Sequence, residues 1–94
     1  MLYAVKARFR PGFEERRASL AADFGQHIRQ PLLHIRLVGG LFDDVGRRSG
    51  ILMLMEADSR GQLDHFLMQS PYAEAGLYES VDVDELQIEA GSLG

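Results

Sequence analysis

The chain has no cysteine and no tryptophan, and only three of its 94 residues are proline. Without cysteine there is no disulfide framework, no thiolate nucleophile and no cysteine-held metal. Basic residues are the scarcer charge: ten Lys and Arg stand against fourteen Asp and Glu, a net charge of −4. A surface dedicated to nucleic acid is normally basic, so no nucleic-acid partner is expected. No uninterrupted apolar run approaches the roughly 20 residues that span a bilayer, so no membrane partner is expected either. The opening MLYAVKARF lacks the long apolar centre and small-residue cleavage site of a signal peptide. These absences lead to the expectation of a cytoplasmic protein.

What is present is ordinary globular composition, 46% hydrophobic and 26% charged. One domain is expected over residues 1–94, with the tail frayed from about residue 90. A chain of this size buries roughly 60–65% of its unfolded surface. The core is therefore modest, and a second subunit would extend it.

The stretch Leu37 to Asp58, LVGGLFDDVGRRSGILMLMEAD, organises the rest. Two apolar runs flank a polar Asp/Gly/Arg/Ser turn, which is the pattern of a hairpin. The pair Gly39-Gly40 marks a place where the backbone can bulge or lie close to another group. Ile51 to Met55 is unbroken apolar sequence, as in a strand covered on both faces.

Leu2 to Phe9 alternates, with Tyr3, Val5, Ala7 and Phe9 on one face and Leu2, Ala4, Lys6 and Arg8 on the other. A helix follows, with Pro11 in its first turn and Pro31 ending it. Its apolar stripe is Phe13, Leu20, Phe24 and Ile28, with Arg17 in the middle and His27 at the edge. Leu32 to Asp43 forms the second strand; Leu33, Ile35, Leu37 and Leu41 face one way, and His34, Arg36, Val38 and Phe42 the other. Ile51 to Ala57 is the third strand. Ser59 with Gln62 is a capping box that opens a helix burying Leu63, Phe66 and Leu67. Ser70-Pro71 opens a short helix that Gly76 stops. Val81 and Val83 alternate with Asp82 and Asp84 in a fourth strand, which Leu86 and Ile88 extend after a bulge.

The order β-α-β-β-α-β predicts a ferredoxin-like α+β fold, a four-stranded antiparallel sheet with helices on one face. The open face carries Leu2, Ala4, Lys6 and Arg8 beside His34 and Arg36. It is too apolar to stay bare and too charged to be a dry core. A homodimer that joins two open faces around a partly polar pocket, a dimeric α/β-barrel, reconciles the two. The simpler arrangement pairs Lys6 and Arg8 with Asp82 and Asp84 across strands in solvent.

Zinc spacing, a P-loop and a dinucleotide fingerprint are all missing, and no serine stands in a nucleophile elbow. No metal and no cofactor are expected. General acid–base chemistry remains, carried by a histidine or carboxylate in a dry pocket. Arg17 either snorkels from its apolar stripe or meets a carboxylate or anionic ligand. His27 is either a satisfied boundary histidine or a base. His34 belongs to a pocket or to the surface. Asp43 and Asp44 shape a turn, and Asp43 can also hold a histidine or a substrate hydroxyl. Tyr72 packs or offers its hydroxyl.

GGLFDDVGRRSGILMLMEADS followed by SPYAEAGLYESVDVDEL resembles the YCII-related family of small proteins. The likeness covers about Leu37 to Leu86, and more loosely Leu2, Tyr3, Arg16 and Arg17. It implies a dimeric α/β-barrel of ferredoxin-like subunits and a pocket with a His/Asp acid–base pair. Some relatives are linked to elimination on chlorinated hydroxyquinones, within a superfamily that includes muconolactone isomerases and small cofactor-free oxygenases. Two departures stand out. The family's helical histidine, in an R-x-x-H-L pattern, falls here on Ser19 or on Asp23, with His27 one turn further on. The family's aspartate before Pro-Tyr is Ser70. The resemblance thus implies a lyase or isomerase in which Asp23 or His27 moves a proton. Arg17 would hold the anion, with Asp43, His34, Ser70 and Tyr72 lining the site. A ligand-binding dimer without turnover and a cofactor-free oxygenase are the other expectations.

Overall fold

The computed structural model describes residues 1–31 and 33–93. Leu32, where the second strand was expected to begin, and Gly94 in the tail lie outside the described residues. The elements are β1 (Leu2–Phe9), α1 (Glu14–Ile28), β2 (His34–Phe42), β3 (Arg48–Glu56), α2 (Arg60–Met68), α3 (Pro71–Glu74) and β4 (Tyr78–Glu85). The strands form one antiparallel sheet in the order β2-β3-β1-β4. This is the expected ferredoxin-like α+β architecture, and among the described residues no helix is long and apolar enough to cross a membrane.

Alternation on β1 and β3 sends Tyr3, Val5, Ala7, Ile51, Met53 and Met55 under the helices, where all are buried. Phe24, Leu63, Phe66, Tyr72 and Leu77 close over them. Each large side chain buried this way stabilises the fold by roughly 1.5–3 kcal/mol. Gly50 pairs with Arg8 of β1, and a Cβ there would strike the Ala7 carbonyl oxygen.

The expected caps form. Ser59 Oγ accepts the Gln62 N–H at 3.1 Å, and Gln62 Oε1 accepts the Asp58 N–H at 2.7 Å. Ser70 Oγ accepts the Ala73 N–H at 3.1 Å with Pro71 at the first helical position. Gly76, at φ 70°, turns the chain out of α3. Helix α1 starts later than expected. Pro11 lies before it in a turn with Gly12 at φ 87°, and Phe13 is the N-cap without a side-chain bond. The Glu14 carboxylate instead reaches back to the Gly12 N–H at 3.3 Å.

The face assignment of β2 is corrected by a bulge. Ile35 pairs with Met55 but Leu37 pairs with Leu54, so Arg36 is the extra residue. Beyond it the faces exchange. Leu37, Gly39 and Leu41 join the open face, while Val38, Gly40 and Phe42 turn to the helix side, and Val38 packs on the core. The glycine pair, expected to bulge or to lie close to another group, does the second at Gly40, which lies against the Arg48 side chain; the register shifts flank the pair, at Ile35/Leu37 and at Leu41/Phe42. β4 is also longer than expected at its start, running from Tyr78, and it ends at Glu85. Leu86 adds one bond, its N–H donating to the Leu2 carbonyl oxygen at 2.8 Å.

Candidate functional site

β1 ends, the β2–β3 hairpin turns and α1 begins at the same end of the sheet. Between them lies a cleft of about 290 Å³. Its lining holds five arginines (Arg8, Arg10, Arg17, Arg47 and Arg48) against the carboxylates of Glu14, Asp43 and Glu79, with Phe9 and Phe13 as apolar walls. None of the ion pairs among the described residues involves these arginines. The cleft therefore carries net positive charge beside apolar surface, an arrangement suited to an anionic or electron-rich ring.

The floor is aromatic. Phe9 stacks on Tyr78 with centroids 5.7 Å apart and meets Tyr72 edge-on at 5.4 Å. Tyr72 in turn stacks on Phe24 at 4.5 Å. The Arg17 guanidinium lies 5.8 Å from the Phe9 centroid, and that of Arg48 lies 6.0 Å from it. Arg48 also stands 5.9 Å from the Phe42 ring, and its Nε–H donates to the Gly50 carbonyl oxygen at 2.9 Å. Arg17 thus emerges from its apolar stripe along an aromatic face and into the cleft. Arg10 is committed elsewhere, its Nε–H donating to the Gly76 carbonyl oxygen at 3.2 Å.

Titration follows burial. Burial pushes the Tyr72 phenol up, against the pull of Arg17 and Arg48, so it stays protonated as a hydrogen-bond donor at neutral pH. Tyr78 is pushed up to about 12, mainly by burial, with the Ser70 hydroxyl easing it back and Tyr72 adding to the rise. Glu14 is held below the usual carboxylate range by the backbone N–H groups of Glu14 and Gly12, then by Arg47 and Arg17.

The residues singled out from sequence fall in several places. Arg17 and Asp43 line the cleft, and Tyr72 lies beneath it against Phe9. Asp43 Oδ1 accepts the N–H groups of Val45 at 3.0 Å and Arg47 at 2.8 Å. It thereby shapes the hairpin turn, and a proton would have to move through Oδ2. Ser70 is buried and serves as the cap of α3. His27 is buried, with Nε2 2.9 Å from the Phe66 carbonyl oxygen and its ring stacked on Phe66 at 4.3 Å. Asp23 is exposed and borders a separate shallow hollow with Arg16, Gln26 and Glu74. His34 stands near the opposite end of the sheet, its Nδ1 3.0 Å from Glu56 Oε2, while Arg36 donates to Glu56 Oε1 at 3.1 Å. The expected pocket between two open faces, with Lys6, Arg8 and His34 in it, would take two copies of the chain to form; within one chain His34 borders a separate hollow with Leu2, Leu33 and Gln62. Arg8 is the one of the three that borders the cleft, and the cleft is built by a single chain.

Arg48 and Phe9 were not singled out from sequence as site residues. The signal lay in two adjacent arginines just after the turn of a hairpin that folds back over the end of the first strand. Among the described residues no three of His, Asp and Glu gather closely enough to hold a metal ion.

With the geometry in place, likeness to known proteins can be set beside it. No family model matches this chain, and no curated protein matches it in sequence. Several solved structures share its fold. The 5-chloro-2-hydroxyhydroquinone dehydrochlorinase of Burkholderia phenoliruptrix, in complex with 2,5-dihydroxybenzoquinone, superposes with a TM-score of 0.83 at 24% identity, covering 93% of this chain and 94% of that one. A NIPSNAP domain protein from Burkholderia xenovorans gives 0.54 at 17% identity over 96% of both chains. A candidate antibiotic biosynthesis monooxygenase from Deinococcus radiodurans gives 0.54 at 13% identity over 100% of both. At these identities the likeness establishes a common ferredoxin-like fold.

Proposed function

We propose that this chain is a YCII-like, cofactor-free lyase or isomerase of the cytoplasm. It takes a small hydroxylated, anionic ring into the arginine cleft. The observation that carries this reading is the pair of guanidinium groups, Arg17 and Arg48, set over one aromatic ring with no carboxylate partner among the described residues. Unpaired guanidinium groups beside an apolar wall stabilise negative charge that develops on ring oxygens during enolisation. Support also comes from the fold shared with an enzyme whose structure holds a dihydroxybenzoquinone.

In this reading Arg17 holds the ring's anionic oxygen and Tyr72 supplies a protonated phenol. Of the three carboxylates at the cleft, Asp43 is assigned the proton transfer, through Oδ2. The open face pairs with a second copy. Leu2, Ala4, Leu52, Leu54, Leu37 and Leu41 share it, all of them partly or fully exposed in the single chain, and a contiguous exposed apolar patch marks an interaction surface.

A second reading is a ligand-binding dimer without turnover. It is favoured by the placement of Asp23 and His27, the two residues expected to move a proton, away from the cleft lining. One experiment separates the two: incubation with 5-chloro-2-hydroxyhydroquinone under anaerobic conditions, with chloride and the ring spectrum followed together. Enzyme-dependent chloride release supports the lyase. Saturable binding with no chloride supports the binding module, and neither signal removes the ring as ligand.

A further inference from the structure

The hairpin glycines are not equivalent. A Cβ built on Gly39 meets nothing within 4 Å, whereas one on Gly40 would stand 2.9 Å from both Cζ and Nε of Arg48. Gly40 faces the helix side of β2, paired with Ile51, and the Arg48 side chain crosses the strand directly over it. The same guanidinium is tied by its Nε–H to the Gly50 carbonyl oxygen and lies between the rings of Phe9 and Phe42. The backbone of Gly40 is not in the left-handed region, so the lack of a side chain there serves space and not turn geometry.

We infer that Gly40 is a positioning residue: it opens the lane through which Arg48 lies flat into the cleft, making Arg48 a second anion anchor beside Arg17. The inference rests on the cleft being the ligand site, and it adds a substrate class. The ligand is a planar ring with anionic oxygens on more than one edge, engaging both guanidinium groups at once. A ring with a single oxyanion would leave one guanidinium unmatched.

The three atoms nearest to a methyl at Gly40 all belong to the far end of the flexible Arg48 side chain, so the strand keeps its pairing while Arg48 is pushed aside. The test uses the full chain with Gly40→Ala, with Gly39→Ala as control, and with Arg48→Ala alone and combined with Gly40→Ala. Three quantities are read: the Arg48 Nε–H signal in the proton–nitrogen spectrum, the thermal midpoint, and affinity for 2,5-dihydroxybenzoquinone against a ring with one ionised hydroxyl. Gly40→Ala should move the Arg48 signal, leave the midpoint near that of the parent, and weaken the two-oxyanion ring about tenfold, as for loss of one charge-assisted hydrogen bond. It should change the one-oxyanion ring little. In the Arg48→Ala background the added methyl should cost nothing more. An unmoved Arg48 signal in Gly40→Ala overturns the inference, as does equal weakening by Gly39→Ala. If the parent protein takes neither ring, the cleft is not the ligand site and the substrate class falls with it, while the Arg48 signal still decides what Gly40 does.

Discussion

His27 Nε2 lies 2.9 Å from the carbonyl oxygen of Phe66, and the two rings stack at 4.3 Å. Phe66 belongs to the last turns of α2, where carbonyls lose their intrahelical donors. The imidazole N–H satisfies one of them and fastens α1 to α2. A histidine that reads as a candidate base from its helical position is thus engaged in holding two helices together.

Replacement of His27 by Ala is therefore expected to destabilise the fold by about 2–4 kcal/mol, from lost packing and an unmet buried carbonyl. Affinity for a ring ligand in the cleft should stay within about twofold, since no direct contact is removed. His27→Gln, which keeps a donor, should recover part of the stability. Chemical denaturation and a ligand titration on the same samples check both halves.

Much of the fold was legible because each local signal acts over a few residues. Alternation placed Tyr3, Val5 and Ala7 correctly, and Ser59 and Ser70 were readable as caps. β2 was misread beyond Arg36 because a period of two says nothing about where an extra residue is inserted. Arg36, long and amphipathic, fits a bulge without breaking the pattern. The place of Arg17 at the cleft was legible, since a cation inside an apolar stripe needs an explanation. Arg48 was not. Its position depends on a hairpin folding back over Phe9 and on the empty space above Gly40, neither of which is a property of neighbouring residues.

Gly50 supplies a test of the sheet itself. Gly50→Ala would force a Cβ onto the Ala7 carbonyl oxygen. Backbone cannot move aside as a flexible side chain does, so the β1–β3 pairing must spread. A loss of about 1–3 kcal/mol, or more if pairing fails, is expected from such overpacking. Gly39→Ala, with open space around it, should be close to neutral. Thermal unfolding of the pair makes the comparison.

Tyr78 gives the fold an alkaline limit. Its phenol is pushed up to about 12 from an ordinary value of 10.0. The folded state therefore holds a proton that the unfolded chain releases first. The associated stability is complete below pH 10 and is lost as pH rises through about 12, on the order of 2 kcal/mol. Tyr78→Phe should flatten stability against pH between those values, whereas a slope identical to the parent's would refute the assignment. Denaturant midpoints at stepped alkaline pH read this directly.

The open face predicts self-association. Sedimentation velocity should give twice the subunit mass, and Leu54→Asp, placing a charge amid Leu2, Leu37 and Leu52, should return the monomer mass. Sedimentation of the parent protein as a monomer at high micromolar concentration would contradict the pairing.

Loss of the Arg17 guanidinium should be felt in binding and not in folding. Arg17→Met keeps the apolar stem over Phe9 and removes the charge. It should weaken an anionic ring by about tenfold to a hundredfold, with the thermal midpoint nearly unchanged.

The most direct measurement is a crystal structure of the protein soaked with 2,5-dihydroxybenzoquinone. The ring should lie in the cleft between α1 and the β2–β3 hairpin, with its oxygens within hydrogen-bond distance of Arg17 and Arg48. A ring seated instead on the open sheet face against Lys6 and His34, or in the apolar slot that Leu67, Met68, Val81 and Val83 line between α2 and β4, would contradict the account.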